Sequence, residues 1–229
     1  MAEVIRMDEN TYRIEDGFVR FFLLAGEDKA MLIDSGVECG NAKEIAETLT
    51  NLPIELYNTH GDGDHLAGSA MFDIIHMHTE DYERCGVGHR FPDLKLSPVN
   101  DGDVIDLGGR KIEVIHIPGH TYGSIAFLDI SARRLFVGDS VQSGHVFMFG
   151  DKRDVKNYPH SLEKLIRMKE RYDTVIPSHD KPELSSDYPE KMLETWNKTE
   201  DGTLGYTESD MFGAKIKVYD GEYCGFFRD

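Results

Sequence analysis

Four short apolar segments of the chain end beside a histidine or an aspartate, and this pattern restricts the fold more than any other feature. The first, residues 54–58, runs into THGDGDH at residues 59–65. The other three lead to His120 in PGHTYGS, Asp139 in VGDS and His179 in IPSHD. Folds of the α/β class collect their functional loops at the C-terminal ends of strands. The pattern therefore predicts an α/β fold with a polar site at the edge of its sheets.

The surrounding sequence has the pattern of short strands with interspersed helices. Strands are predicted at residues 3–7, 11–14, 18–24, 30–33, 54–58, 74–77 and 173–177. Hairpins are predicted from 103–107 with 111–117, from 124–130 with 134–137, and from 215–219 with 222–227. Helices are predicted at residues 41–49, 66–72, 79–85, 161–169 and 187–198. Residues 87–98, which include Gly88 and Pro92, are expected to form a long loop that overhangs the site.

The strand-first order recurs in both halves of the chain, which predicts two sheets covered by helices. A chain of 229 residues can bury the core of one large α/β domain. The sequence has no long linker and no low-complexity tract. We therefore expect a single domain over residues 1–229.

Charge and cysteine content narrow the possible partners and compartments. The formal net charge is −17, from 25 basic and 42 acidic residues. This charge repels nucleic-acid phosphates and anionic lipids, so we expect neither nucleic acid nor membrane as a partner. The longest apolar run, residues 21–25, is too short to span a bilayer, and the N-terminus shows no signal-peptide pattern. Cys39, Cys85 and Cys224 form no disulfide framework, which favours a reducing compartment, and we expect the cytoplasm.

The loop at residues 60–65 contains four side chains that can bind a metal. Their spacing does not place them on one face of a helix, so an extended loop suits them better. Gly61 and Gly63 give the intervening backbone the freedom that such a loop needs. For these residues taken alone, the alternative is a polar turn with an aspartate as the N-cap of a helix. The four side chains are His60, Asp62, Asp64 and His65.

The ordered set of motifs resembles the metallo-β-lactamase superfamily, whose pattern is THxHxDH, then GHTxGS, then GD, then a late histidine. The similarity covers roughly residues 18–181 and is greatest to the glyoxalase-II-like hydrolases. It implies a four-layer αβ/βα sandwich with the site at the edge of its two sheets. It also implies a dinuclear metal site in which two groups of side chains each bind one ion and a carboxylate bridges the ions. The first group is His60, the residue at position 62 and His120; the second is Asp64, His65 and His179; the bridging residue is Asp139.

The chain departs from the family pattern at one ligand, because Asp62 stands where the family has a histidine. Loss of the first metal would explain this, but aspartate is itself a competent ligand and the rest of the set is complete. The flavodiiron proteins carry a carboxylate at this position and bind two irons, although they also have a flavodoxin module that this chain lacks. We therefore expect two divalent ions per chain, with iron or manganese beside or instead of zinc.

The extra carboxylate also changes the charge of the cluster. Two divalent ions with a bridging hydroxide, Asp64 and Asp139 leave one net positive charge, and Asp62 brings the total to zero. A less positive cluster makes bound water less acidic and stabilises an oxyanion less. The substitution Asp62→His, which restores the usual ligand type, is expected to raise the affinity for zinc.

The expected reaction is metal-assisted hydrolysis, in which a hydroxide held between the ions attacks a carbonyl group. The resemblance favours an ester, thioester or lactone of a small molecule, with Asp64 or water as the proton donor to the leaving group. The alternatives are a non-haem iron oxidoreductase, either sulfur dioxygenase-like or diiron, and a phosphodiesterase. Asp62 argues against the sulfur dioxygenases, which keep the histidine, and the charge of −17 argues against nucleic-acid processing. The complete ligand set disfavours a non-catalytic binding protein.

Residues 143–149, SGHVFMF, follow Asp139 closely and are apolar without a clear strand or helix pattern. Such a loop is unfavourable in water, so we expect it to cover something. We expect His145 and Phe147 to bind the substrate at the wall of the pocket, while a homodimer contact is the alternative for the same segment. A structural role is the other alternative for His145, and it is equally open for His89, which lies in another predicted loop that could face the pocket.

Overall fold

Short runs rich in apolar and β-branched residues form two large sheets in the computed structural model, which describes residues 2–229. The first sheet has seven strands, which lie side by side in chain order. Its first four strands are antiparallel neighbours, and the last four are parallel. The strands are β1 (Glu3–Asp8), β2 (Thr11–Asp16), β3 (Val19–Ala25), β4 (Ala30–Ile33), β5 (Ile54–Tyr57), β6 (Ile74–Met77) and β7 (Lys95–Pro98).

The second sheet has six strands, and a smaller third sheet of four strands lies among residues 145–228. The second consists of β8 (Val104–Asp106), β9 (Lys111–His116), β10 (Ile125–Asp129), β11 (Arg134–Gly138), β13 (Thr174–Pro177) and β14 (Leu184–Ser185), in the order β14-β13-β11-β10-β9-β8. The third consists of β12 (His145–Met148), β15 (Thr207–Met211), β16 (Ala214–Asp220) and β17 (Gly225–Arg228), in the order β12-β17-β16-β15.

Helices cover the outer faces of the two large sheets. The helices are α1 (Ala42–Glu47), α2 (Thr79–Arg84), α3 (Val87–Arg90), α4 (Tyr158–Arg167) and α5 (Tyr188–Glu200). Among residues 2–229, no helix combines the length and the apolar character needed to cross a membrane.

Alternate residues of β3 show how the layers are held together. Phe22 and Leu24 are buried in the cluster between the two sheets, whereas Phe21 and Leu23 are buried on the other face, in the cluster that includes α1. On the far side of the second sheet, Trp196 of α5 belongs to a third buried cluster. Full burial of such side chains contributes about 1.5–3 kcal/mol each. The predicted four-layer αβ/βα sandwich is confirmed.

Residues 87–98 do not form the predicted long loop. They contain α3 and then β7, which pairs in parallel with β6 at the edge of the first sheet. The predicted helix at residues 66–72 is also wrong, because this stretch contains a short 3₁₀ turn at Ser69–Met71. Local glycine and proline content obscured the strand, which depends on a neighbour about twenty residues earlier in the sequence.

The prediction of two sheets missed the third sheet. Residues 143–149 are not an irregular loop, because β12 occupies His145–Met148 and pairs in parallel with β17 near the end of the chain. The strand β15 was also missed, since four of its five residues are polar and exposed. A pairing between segments about eighty residues apart leaves no local pattern in the sequence.

Candidate metal centre and its cavity

The predicted ligands follow the ends of four strands and meet at one edge of the sandwich. The loop after β5 supplies four of them, and the segments after β9, β11 and β13 supply one each. The seven side chains form two groups, and within each group the ligand atoms lie within 4.8 Å of one another. The first group is His60, Asp62 and His120, and the second is Asp64, His65, Asp139 and His179.

Asp139 lies between the two groups. Its Oδ1 is 3.3 Å from Nε2 of His65, and its Oδ2 is 3.1 Å from Nε2 of His179. The same Oδ2 is 3.7 Å from Nε2 of His120 and 3.9 Å from Nε2 of His60, which belong to the first group. One carboxylate therefore stands within reach of both groups.

The four histidines are oriented in the same way. In each, Nδ1 forms a hydrogen bond away from the cluster: with Thr59 Oγ1 at 3.0 Å for His60, with Asp34 Oδ2 at 2.9 Å for His65, with the Phe147 carbonyl at 3.0 Å for His120, and with the Phe18 carbonyl at 2.9 Å for His179. Metal-binding histidines are typically fixed in this manner, so that the other ring nitrogen faces the ion.

Several polar atoms that face the cluster have no hydrogen-bond partner among residues 2–229. They are Nε2 of His60, His65 and His120, and Oδ1 of Asp139. Buried polar atoms without partners are costly and rare, so such a concentration of them needs an explanation. Imidazole and carboxylate donors are the ligands that zinc, iron and manganese prefer. The residues therefore fit a pair of divalent metal ions.

Opposite charges shift the pKa values within the cluster. Burial disfavours the charged form of His179, yet the carboxylates of Asp139 and Asp64 raise its pKa to about 10. Burial also opposes protonation of His65, but Asp139 and Asp34 raise its pKa well above the ordinary value. Burial opposes ionisation of Asp139, but His179 and His65 hold its pKa well below the ordinary range. Without metal, protonated histidines therefore balance the carboxylates.

Protein stripped of metal by a chelator is expected to lose stability as the pH rises from about 6.5 to about 10. In this range His65 and His179 keep their protons in the folded chain and lose them in the unfolded chain, so a rising pH favours unfolding. His60 opposes this trend only near the lower end of the range, because burial lowers its pKa and keeps it neutral in the folded chain, whereas in the unfolded chain it loses its proton at about pH 6.5. Urea unfolding across this range measures the effect. Metal-loaded protein is the control. An equal pH dependence of the stability in both samples would contradict the prediction that His65 and His179 are protonated only in the metal-free protein.

Asp34 forms hydrogen bonds to the ligand loop and to His65. This role was not predicted from the sequence. The residue is fully buried directly after β4, and its carboxylate accepts hydrogen bonds from Asn58 Nδ2 (3.2 Å), Thr59 N (2.8 Å) and Thr59 Oγ1 (2.8 Å) besides contacting His65. It therefore fixes both the start of the ligand loop and the orientation of His65. Its position at the end of a predicted strand, like that of the ligands, is the signal that could have found it.

Asp81 of α2 joins two of the ligand loops. Its carboxylate accepts hydrogen bonds from Gly61 N (2.8 Å), Thr121 Oγ1 (2.7 Å) and Gly123 N (2.6 Å). A Cβ added to Gly123 would lie 2.7 Å from backbone and side-chain atoms of Asp81, so only glycine permits this approach. The loop with His60 and the loop with His120 are thus held together by a buried carboxylate.

Arg153 is a neighbour of the unusual ligand position that the sequence did not predict. Its Nη2 donates to Asp62 Oδ2 at 2.7 Å, and its Nη1 donates to the His120 carbonyl at 3.0 Å. Burial would raise the pKa of Asp62, but His120 and Arg153 help to hold it well below the ordinary value. The guanidinium also returns the positive charge that Asp62 removes from the cluster.

This ion pair sets a condition on the substitution Asp62→His. Alone, the substitution leaves the charge of Arg153 unpaired beside the first group, and we now expect roughly tenfold weaker zinc binding there. The double substitution Asp62→His with Arg153→Met is expected to restore or exceed the original affinity. Chelator competition on the two single variants and the double variant measures the coupling. Equal effects of Asp62→His with and without Arg153 would show that the pair does not act as a unit.

A cavity of about 890 Å³ opens over both groups of ligands. Five of the seven predicted ligands contribute to its floor and are accessible from it: Asp62, Asp64, His120, Asp139 and His179. The cavity walls combine aromatic, basic and polar side chains, which are Phe18, Gln142, His145, Phe147, Asp151, Lys152, Arg153, Asp180, Phe212 and Phe227.

The two predicted substrate-binding residues line this cavity, whereas His89 does not. Val146 and Met148 of β12 are buried, so the alternate residues His145 and Phe147 face the other side of the strand. The imidazole of His145 pairs with Asp220 at 2.7 Å. His89 is exposed on α3. Most of the other wall residues come from distant segments and had no signal in the sequence.

A sequence profile described as the metallo-beta-lactamase superfamily matches residues 14–179. Human acyl-coenzyme A thioesterase MBLAC2 is 26% identical over 199 residues, which cover 69% of this chain and 71% of that protein. Hydroxyacylglutathione hydrolase of Francisella tularensis subsp. tularensis (strain WY96-3418) is 30% identical over 148 residues, which cover 64% of this chain and 57% of that protein.

Solved structures show the same fold. A metallo-beta-lactamase from Pontibacter korlensis superposes with a TM-score of 0.71 at 17% identity, and the superposition covers 86% of this chain and 99% of that one. At this level of identity the similarity concerns the arrangement of the chain alone.

Proposed function

Because the chain belongs to the metallo-beta-lactamase superfamily and is a metal-dependent hydrolase, we propose that it cleaves small-molecule thioesters in preference to esters and lactones. The observation that carries this proposal is the set of seven converging ligands at the floor of a cavity with aromatic walls. The names of the relatives, an acyl-coenzyme A thioesterase and a hydroxyacylglutathione hydrolase, support thioesters as the first class to test.

We propose that His60, Asp62 and His120 hold one divalent ion, that Asp64, His65 and His179 hold a second, and that Asp139 touches both. When bound, two such ions supply a hydroxide nucleophile at neutral pH and polarise the carbonyl oxygen of the substrate. Zinc, iron and manganese all suit the donors, and the additional oxygen of Asp62 favours iron or manganese more than a histidine would.

The side chains of the cavity have separate tasks in this proposal. Asp64 faces the cavity, so besides binding metal it can take up the proton released when water is activated and pass it to the leaving group. A thiolate leaving group, with a pKa near 8.5, depends least on such a proton. Phe147 and His145 form the wall against which the acyl group is held, and the apolar surface excludes water from the reacting carbonyl.

A substrate panel tests the proposed function. Protein loaded separately with zinc, manganese or iron would be assayed with a thioester, the matching oxygen ester, a lactone, a phosphodiester and a persulfide with oxygen. We expect the thioester to react fastest, with activity lost on chelation and recovered on metal addition. Turnover of the phosphodiester alone would indicate a phosphodiesterase instead. Oxygen consumption with the persulfide would indicate a non-haem iron oxidoreductase instead.

A further inference from the structure

The two most exposed large apolar side chains in residues 2–229 both line the cavity. Phe212 is 87% exposed and Phe18 is 65% exposed. A phenylalanine ring in water is unfavourable, and its placement at the mouth of a binding cavity suggests contact with a ligand. Phe212 is the more informative of the two, because it lies beyond residues 14–179, the segment that the superfamily profile matches.

The backbone at Phe212 is unusual for this residue type. Met211 pairs with Ala214, so Phe212 and Gly213 form the two-residue turn between β15 and β16. Both have positive φ, 51° and 82°, as a type I′ turn requires. Asn-Gly is the favoured sequence for this turn, and a bulky side chain at the first position is unfavourable. An asparagine would serve the turn better, so the fold alone does not account for the ring.

The third sheet directs this ring toward other aromatic side chains of the cavity. Phe147 of β12 is the register partner of Phe227 of β17, and their ring centroids are 4.9 Å apart. The ring of Phe212 is 6.4 Å from that of Phe147. Phe226, which precedes Phe227, is buried on the opposite face. Phe147, Phe212 and Phe227 thus form one continuous apolar surface, which we term the aromatic wall.

We propose that Phe212 is a substrate-binding residue that completes the aromatic wall and selects thioesters with long apolar acyl groups. This inference rests on the proposed thioesterase function. A short or hydroxylated acyl group would leave the exposed ring without a contact, whereas an extended hydrocarbon chain can cover it and the two rings below. The turn accepts an unfavourable backbone conformation so that the ring can stand over the cavity.

The test uses thioesters of N-acetylcysteamine with acyl groups from acetyl to decanoyl, so that only the acyl group varies. The variants are Phe212→Ala and Phe212→Asn, and the control is Tyr206→Ala. Tyr206 is half-exposed in the same C-terminal region but does not line the cavity. For each protein, kcat/KM is measured along the series together with the melting temperature and the oligomeric state.

The wild-type protein is expected to prefer long acyl groups. Both Phe212 variants should lower the ratio of kcat/KM for decanoyl to that for acetyl by roughly tenfold, as expected for partial loss of a buried aromatic contact. Phe212→Asn should also melt at the same or a higher temperature, because Asn-Gly suits the turn. Tyr206→Ala should keep the wild-type ratio.

Several outcomes would overturn the inference separately from the proposed function. Absence of hydrolysis with every thioester would refute the proposed function itself. Hydrolysis without a chain-length preference, or a preference unchanged in both Phe212 variants, would refute only the role of Phe212. Dissociation of an oligomer in the Phe212 variants with the preference retained would assign the ring to a subunit contact instead.

Discussion

Replacing Asp139 by alanine is expected to lower kcat/KM by a factor of at least about 10³ and to reduce the metal content below two ions per chain. Among residues 2–229, Asp139 is the one carboxylate within 4 Å of histidines from both groups. Without it, two cations would share the cluster with one fewer negative charge between them, and their mutual repulsion would rise. Elemental analysis and assays on the same preparation measure both effects.

A second variant separates the charge of Asp139 from its shape, and a third serves as a control. Asp139→Asn keeps the shape of the side chain and an oxygen donor but loses the charge, so its loss should be large although smaller than that of alanine. Asp93→Ala removes an exposed carboxylate outside the cavity and should behave as wild type. If Asp139→Ala retained two tightly bound ions, the proposed position between the metals would be untenable.

Asp34→Ala is expected to destabilise the protein by about 3–5 kcal/mol, because it leaves buried donors without an acceptor. Its partners, Asn58, Thr59 and His65, are themselves almost completely buried, so water cannot replace the carboxylate. Alanine is also poorly suited to the backbone of Asp34, whose φ is 62°. The affinity for metal should fall by about 10–100-fold as His65 loses its orientation.

Asp34→Asn is the matched comparison. Asparagine tolerates a positive φ and keeps one oxygen acceptor, but it cannot balance a protonated His65. Its free energy of unfolding should therefore lie between those of wild type and alanine. Urea unfolding of chelated protein gives the stability, and chelator competition gives the affinity. A free energy of unfolding within 1 kcal/mol of wild type for Asp34→Ala would contradict the supporting role, given the about 1–3 kcal/mol expected for each orphaned group.

The sequence was sufficient to predict the sandwich and the seven side chains that converge, for a physical reason. Each of those side chains lies in the segment that follows an apolar strand, so its position is fixed by local pattern and by the way strands end at a common edge. The resemblance supplied their order and grouping. Their role as metal ligands stays a proposal.

Contacts between distant segments could not be predicted in the same way. Arg153 meets Asp62 across 91 positions of sequence, and counting only the ligands gave a neutral cluster where the structure adds a guanidinium. The aromatic wall joins β12 to the C-terminal strands, so Phe147 looked like part of a loop until its partner was known. In both cases the role of a residue depends on a contact with a distant segment, and the local sequence does not reveal that contact.

The carboxylate of Asp81, which ties the loop of His60 to the loop of His120, has a consequence for metal supply. Because protein groups hold these two loops in register, we expect the fold to form without the ion, unlike small domains that collapse without zinc. Metal then adds stability only by mass action, in proportion to the logarithm of its free concentration over the dissociation constant. A metal site whose ligands are already in position binds whichever suitable cation is most available. We therefore expect the resident metal to follow the growth medium, and reversible exchange among zinc, manganese and iron without refolding.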